Sequence, residues 1–289
     1  MMVRISLLIC LWLASAPGRA QPADTLNRQR LNLVIVGGAS VYAGSVVALN
    51  EIWYSQYDRQ SFRFFNDSQE WLQADKVGHF YATFQVSHVA SRMLTWTGLN
   101  TRKADLWASI SSFAMVSSIE IFDGYSTGYG ASASDLVANG LGAGLYYTQK
   151  AVWKELRIHP KFSFHQTIYA PLRPELLGTS WGEQIIKDYN GQTQWLSFDM
   201  DRFIRFPKWL NLAVGYGVED MISANVSSNQ QLGYTPYRQV YLALDFDLTA
   251  FRGRSKFWNS VIFFANMIKL PAPTLEFSRG GVHAHFFYY

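Results

Sequence analysis

Near residue 155 the hydrophobic pattern changes period, and this change limits what the chain can fold into more than any other feature. Before it, small and apolar residues recur at helical spacing over Leu31–Asn50, Asp75–Trp96, Ala104–Phe122 and Ser132–Trp153. After it, Leu210, Leu212, Val214, Tyr216 and Val218 alternate with Asn211, Ala213, Gly215 and Gly217. Val240, Leu242, Leu244, Phe246 and Leu248 alternate in the same way, as do Leu196, Phe198 and Met200. A helical first half and a period-two second half predict an α+β chain. About four small-residue-rich helices form a domain over residues 21–157, followed by an antiparallel β-rich region over 158–289.

Leu275–Phe277 and Val282–Tyr289 read as a closing hairpin that turns at Gly280-Gly281. Ser61–Phe65 and Phe162–Tyr169 are weaker strand candidates. Ser255–Ile268 reads as a short apolar helix between strands. The irregular stretch Ile158–Gly191, with Pro160, Pro171 and Pro174, reads as the seam between halves. About five good strands fall short of the eight that a membrane barrel needs. The expected arrangement is therefore an antiparallel sheet with one face on the helices. Within the helices, Ser132 or Ser134 is placed to cap the fourth, and Gly98 to end the second.

Arg4, the apolar run Ile5–Leu13 and the small residues Ala14 to Ala20 have the three parts of a secretory signal. Residues 1–20 are thus expected to be a cleaved signal peptide, because about nine apolar residues cannot cross a ~30 Å hydrocarbon core. Cys10, the single cysteine, lies inside that run after Ile9, so a mature chain holds no disulfide and no thiolate metal site, and lipid anchoring is not expected. Aromatic residues make up 16 % of the chain, matching all charged residues together, which favours membrane contact. A mean hydropathy of −0.03 argues against full immersion. With a net charge of +4 and no Lys/Arg cluster read as interleaved with aromatics, nucleic acid is not an expected partner. The address that follows is exported, either periplasmic or outer-membrane-associated, with an inner-membrane integral protein as the alternative. Arg28 and Arg30 would lie on the wrong side for that alternative.

The helical half carries polar residues where an apolar face would be simpler. Asp75 and His79 stand at i, i+4 with Lys76 between them, Glu120 and Asp123 at i, i+3, and Asp135 and Asn139 at i, i+4. If these faces converge, Asp75, His79, Glu120, Asp123, Asp135 and Asn139 form a candidate site for a divalent metal ion such as Zn, Mn or Fe. His79, Asp75, Lys76 and Glu120 are the candidate catalytic groups, with His79 as a general base oriented by a carboxylate. The plainer reading is that Asp75 and Asp135 stabilise helix starts, His79 is a core histidine and Lys76 pairs with an acid. His88 points away from His79 on a straight helix. His283 and His285 share one strand face without further ligands, and His159 and His165 have no companions in sequence. Gly124–Gly130 lacks the Gly-Lys-Ser/Thr ending of a phosphate loop, and no Gly-x-Ser-x-Gly elbow occurs.

Asp75-Lys76-Val77-Gly78-His79-Phe80, Glu120-Ile121-Phe122-Asp123-Gly124 and Ser132 to Gly142 together resemble the YfiM-like family of predicted periplasmic lipoproteins, described only as a domain of unknown function. The same order of Asp-Lys-x-x-His, Glu and Asp-x-x-x-Asn resembles, more faintly, the VanZ-like membrane proteins. The resemblance implies envelope placement and a polar site shared by three helices, and it supplies no reaction. Two functions follow as expectations. One is a structural or interaction protein of the cell envelope, with membrane or envelope components as partners, whose polar cluster holds three helices in register. The other is a metal-assisted, membrane-associated hydrolase or transferase acting on lipid or peptidoglycan precursors.

Overall fold

The computed structural model describes residues 26–55 and 57–288. The expected signal peptide at 1–20 and the terminal Tyr289 lie outside the described residues. The chain divides into two compact units. The helical unit comprises the described part of Met1–Asn66 with Ala82–Glu155 and Gly253–Val261; the sheet unit comprises Asp67–Tyr81, Leu156–Arg252 and Ile262–Tyr289.

Four expected helices are present, and one of them is broken. α1 (Arg28–Leu49) is capped by Asn27, whose side chain accepts from the Arg30 amide, and it runs on as a π-helical turn over Asn50–Tyr54. Arg28–Tyr54 is long and apolar enough to cross a membrane by length and composition, a test that a signal sequence near the N-terminus also passes. α2 (Ala74–Trp96) ends before Gly98, which takes a φ of +89° that glycine adopts without cost. The expected third helix is divided at Ser118 into α3 (Thr101–Ser117) and α4 (Ile119–Gly124). Ser118 Oγ donates back to the Met115 carbonyl at 2.6 Å, so its side chain competes with the helical ladder. α5 (Ala133–Val152) starts at Ser132, whose hydroxyl accepts from the Asp135 amide. α3 packs on α5 through Ala104, Ala108, Ser109 and Ser112 from one helix and Ala138, Gly142 and Ala143 from the other. Small residues let the backbones approach. Large apolar residues of these helices, such as Trp107, Ile110, Val137 and Leu141, are exposed. Ser61–Phe65 is no strand; Phe64 makes a single bridge to Ala131, and Arg59, just before the stretch, makes one to Ser126.

The sheet is a six-stranded antiparallel meander in sequence order: β1 (Ile158–Phe164), β2 (Gln192–Phe198), β3 (Leu210–Glu219), β4 (Tyr237–Phe246), β5 (Ala272–Ser278) and β6 (Gly281–Tyr288). The stretch read as a seam begins as β1 and continues in two short helices, α6 (Pro174–Leu177) and α7 (Trp181–Lys187). α8 (Val226–Gln231) links β3 to β4, and α9 (Lys256–Ala265) precedes β5. The sheet curls on itself. The Phe162 amide donates to the Met267 carbonyl and the Lys269 amide to the Phe162 carbonyl, so the chain leading into β5 covers the free edge of β1.

The face of the sheet that carries the row of aliphatic side chains is the exposed one. Register aligns Leu196, Val214, Leu242, Leu275 and Ala284 in one row across five strands. Val214, Val240, Leu242, Leu275 and Phe277 of this face are 41–46 % exposed. The opposite residues, among them Lys161, Ser197, Asn211, Asp245 and Thr274, are buried. Period two identifies two faces, and here the inner one carries these polar groups around a small core of Trp195, Ala213, Tyr241 and Ala243.

A second feature sits just before α2. Trp71, Leu72 and Gln73 all take left-handed backbone angles, at φ 48°, 50° and 72°. Each costs roughly 1–2 kcal/mol for an L-residue. Within the sheet unit the turn is held by burial of Trp71 and Leu72 against Leu177, Val218, Met221 and Ile222. The Trp71 amide also donates to the Ala224 carbonyl, and the Tyr216 hydroxyl donates to the Leu72 carbonyl.

Candidate functional site

In α2, Asp75, His79, Thr83, Ser87 and Ser91 recur every four residues, so each lies near the next in a polar column that winds slowly around the helix. Within the helical unit the lower part of this column is hydrogen-bonded and buried. Thr83 Oγ1 donates to Asn139 Oδ1 at 2.9 Å, and Asn139 Nδ2 donates to Ser117 Oγ at 3.3 Å. Thr83 and Asn139 are both fully buried. Two turns further on, Ser91 Oγ donates to Asp105 Oδ1 at 2.6 Å, and Tyr146 OH donates to the same oxygen at 2.9 Å. Burial pushes the Tyr146 hydroxyl up, so it stays a proton donor.

The predicted acids of the helical unit gather at the α4–α5 connection. Glu120 Oε2 accepts from the Ser132 amide at 2.8 Å, and Ser132 Oγ accepts from the Asp135 amide at 3.0 Å. Glu120 and Asp135 each place a carboxylate oxygen within 4.8 Å of the other. They are 3 % and 5 % exposed. Two carboxylates this close and this buried require a nearby positive charge or a shared proton. Asp123, expected beside Glu120, instead turns to Tyr54, whose hydroxyl donates to Asp123 Oδ1 at 2.8 Å. Burial, and after it Asp123, pushes the Tyr54 hydroxyl up.

At the other end of α2, within the sheet unit, Lys76 Nζ is shared between Asp75 at 2.7 Å and Asp67. His79 lies one turn beyond Asp75 and one turn before Thr83 on the same helix face. Oxygen donors and an imidazole of these types suit a divalent cation. His88 packs on Phe84 and Tyr146.

Sequence reasoning missed a second polar interior, inside the curled sheet. Lys161 Nζ meets Asp245 Oδ2 at 2.7 Å and donates to the Phe246 carbonyl at 2.8 Å. Lys269 Nζ lies 4.5 Å from the Trp195 ring centroid. Burial, opposed by Asp245 and reinforced by Lys161, lowers this ammonium to about 8. His159 has a companion after all: its Nε2 is 2.9 Å from Asp199 Oδ2, and Asn211 Nδ2 donates to Asp199 Oδ1 at 2.8 Å. His285 pairs with Glu276 at 2.8 Å, so this histidine is not simply solvated.

No curated protein and no solved structure matches the chain. Residues 63–151 match a protein family, and they contain the left-handed turn, all three motifs and the polar column. That family's description agrees with the expected export to the periplasm. The family that these residues match is described as predicted periplasmic lipoprotein, DUF2279.

Proposed function

We propose that the chain is a non-enzymatic cell-envelope protein whose buried polar column sets the register of the helices and presents them to an envelope partner. The observation that carries this reading is the set of buried rungs Thr83–Asn139–Ser117 and Ser91–Asp105–Tyr146, hydrogen-bonded within the helical unit. Between helices lined with alanine and glycine, apolar contacts alone allow sliding by a turn, and each such slide would leave these polar atoms unsatisfied.

The closeness of the Glu120 and Asp135 carboxylates supports a second reading. In it, Asp75, His79, Glu120 and Asp135 hold a divalent metal ion, and Lys76 steadies an anionic group of a lipid or peptidoglycan precursor. Elemental mass spectrometry of the purified protein, wild type against His79→Ala, separates the two. The structural reading expects no stoichiometric metal in either protein and a lower melting temperature for the variant. Near-stoichiometric zinc, manganese or iron that disappears in His79→Ala would overturn it in favour of the metal-dependent enzyme.

A further inference from the structure

We infer that the outer face of the sheet unit seats against the acyl region of a lipid bilayer, with its basic, aromatic end on anionic headgroups. Soluble sheets bury their apolar face, whereas a sheet in lipid turns it outward and keeps polar groups inside. This sheet follows the second rule in register. Leu196, Val214, Leu242, Leu275 and Ala284 form one outer row, with Val240, Phe277 and Val282 in the next. The inner face carries the buried Lys161–Asp245 pair and the Asp199–Asn211 bond. An apolar band of this extent exposed to water would be costly, at about 25 cal/mol per Å² of apolar surface.

Charge selects the kind of bilayer. The β2–β3 connection and the segment after β4 lie at the same end of the meander. Arg202, Arg205, Lys208 and Arg252 are exposed there. The acids of this end are drawn inward: Asp199 and Asp247 are buried, and Asp201 is half-buried beside Arg202. The bases are interleaved with exposed Phe203, Trp209 and Phe251. The stretch from Arg202 to Trp209 is thus the basic–aromatic cluster that the composition-level reading passed over. Aromatic rings sit at headgroup depth, and exposed Lys and Arg near an anionic surface contribute about 1 kcal/mol each. A nucleic acid would engage the same bases, yet it would leave the apolar rows in water. The helical unit shows the same inversion independently, with Trp107, Ile110 and Leu141 exposed and Asp105, Ser112 and Asn139 buried.

The test is flotation of the detergent-free full chain with vesicles of phosphatidylethanolamine and phosphatidylglycerol, against phosphatidylcholine alone. Wild type is expected to float with the anionic vesicles and several-fold less with the neutral ones. Val214→Lys with Leu242→Glu places an opposite-charge pair on exposed cross-strand neighbours, so the fold is retained and circular dichroism checks it. This variant should lose at least tenfold of the bound fraction. Arg205→Glu with Lys208→Glu should remove the preference for anionic vesicles while leaving the spectrum unchanged. The inference is overturned if the folded outer-face variant floats like wild type, because another surface such as α1 then holds the lipid. It is equally overturned if the protein ignores vesicles and instead forms a stable dimer or binds a mixed-sequence oligonucleotide at the same salt.

Discussion

The two units bury polar groups by different means. In the helical unit the buried rungs join hydroxyls and amides with single acids, Thr83 to Asn139 and Ser91 to Asp105, and the backbones satisfy themselves within each helix. In the sheet unit a complete ion pair, Lys161 with Asp245, is withdrawn from water, and part of its hydrogen bonding comes from a backbone carbonyl. A rung of neutral groups, such as Thr83 with Asn139, costs little to bury and little to lose. An ion pair costs much to bury and more to break, since removing one partner strands the other charge. The Thr83–Asn139 rung should therefore tolerate single changes that the Lys161–Asp245 pair does not.

Asp245→Ala is the sharpest way to break this contrast, because it leaves Lys161 charged and buried. It should destabilise the sheet unit by about 3–5 kcal/mol in urea unfolding, whereas Lys161→Met combined with Asp245→Leu should recover most of the loss. A loss below about 1 kcal/mol for Asp245→Ala would mean that the pair is not held dry. Next in size is Thr83→Val, which removes the donor to Asn139 and keeps the shape; about 1–2 kcal/mol is expected by the same measurement. If Thr83→Val cost as much as Asp245→Ala, the distinction between the units would collapse.

The smallest effect concerns pH. Burial, reinforced by the nearby acids Asp220, Asp188 and Glu276, raises the Glu219 carboxyl from an ordinary value of 4.5 to about 7, although the Tyr169 hydroxyl opposes the shift. The folded chain then binds this proton more tightly than the unfolded one, so the contribution of Glu219 to stability falls as pH rises from about 4.5 to about 7. Glu219→Gln should flatten that part of the urea-midpoint profile. An unchanged slope would show that Glu219 titrates normally.

The helices were legible because their starts and stops are written in local chemistry, with Ser132 as a cap and Gly98 in a left-handed turn. The break at Ser118 was not, since it follows from a side-chain bond to Met115 that resembles an ordinary helical serine in sequence. Strand alternation was equally plain, and the choice of buried face was not. Periodicity separates two faces, but the surroundings decide which is inside. At the candidate site, the i, i+4 spacing of Asp75 and His79 pointed to the right helix face. Its continuation through Thr83, Ser87 and Ser91 passed unread, because hydroxyl residues are common in any helix. Lys161 and Asp245 lie on strands that are distant in sequence, and only the curl of the sheet brings them together.

The left-handed turn over Trp71–Gln73 bears on how the family region can exist apart from the rest. Its long-range restraints, Tyr216, Val218, Met221 and Ala224, lie beyond residue 151, where the family match ends. A protein trimmed to the matched boundaries would begin its motif helix from a turn held only by local bonds, such as Gln73 Nε2 on the Ser68 carbonyl, with two large side chains uncovered. The segment shared with the family is thus not a self-sufficient folding piece in this chain. Its first motif takes its starting geometry from a later stretch of polypeptide, so the chain must be in place as far as Ala224, past the third strand, before the motif can settle.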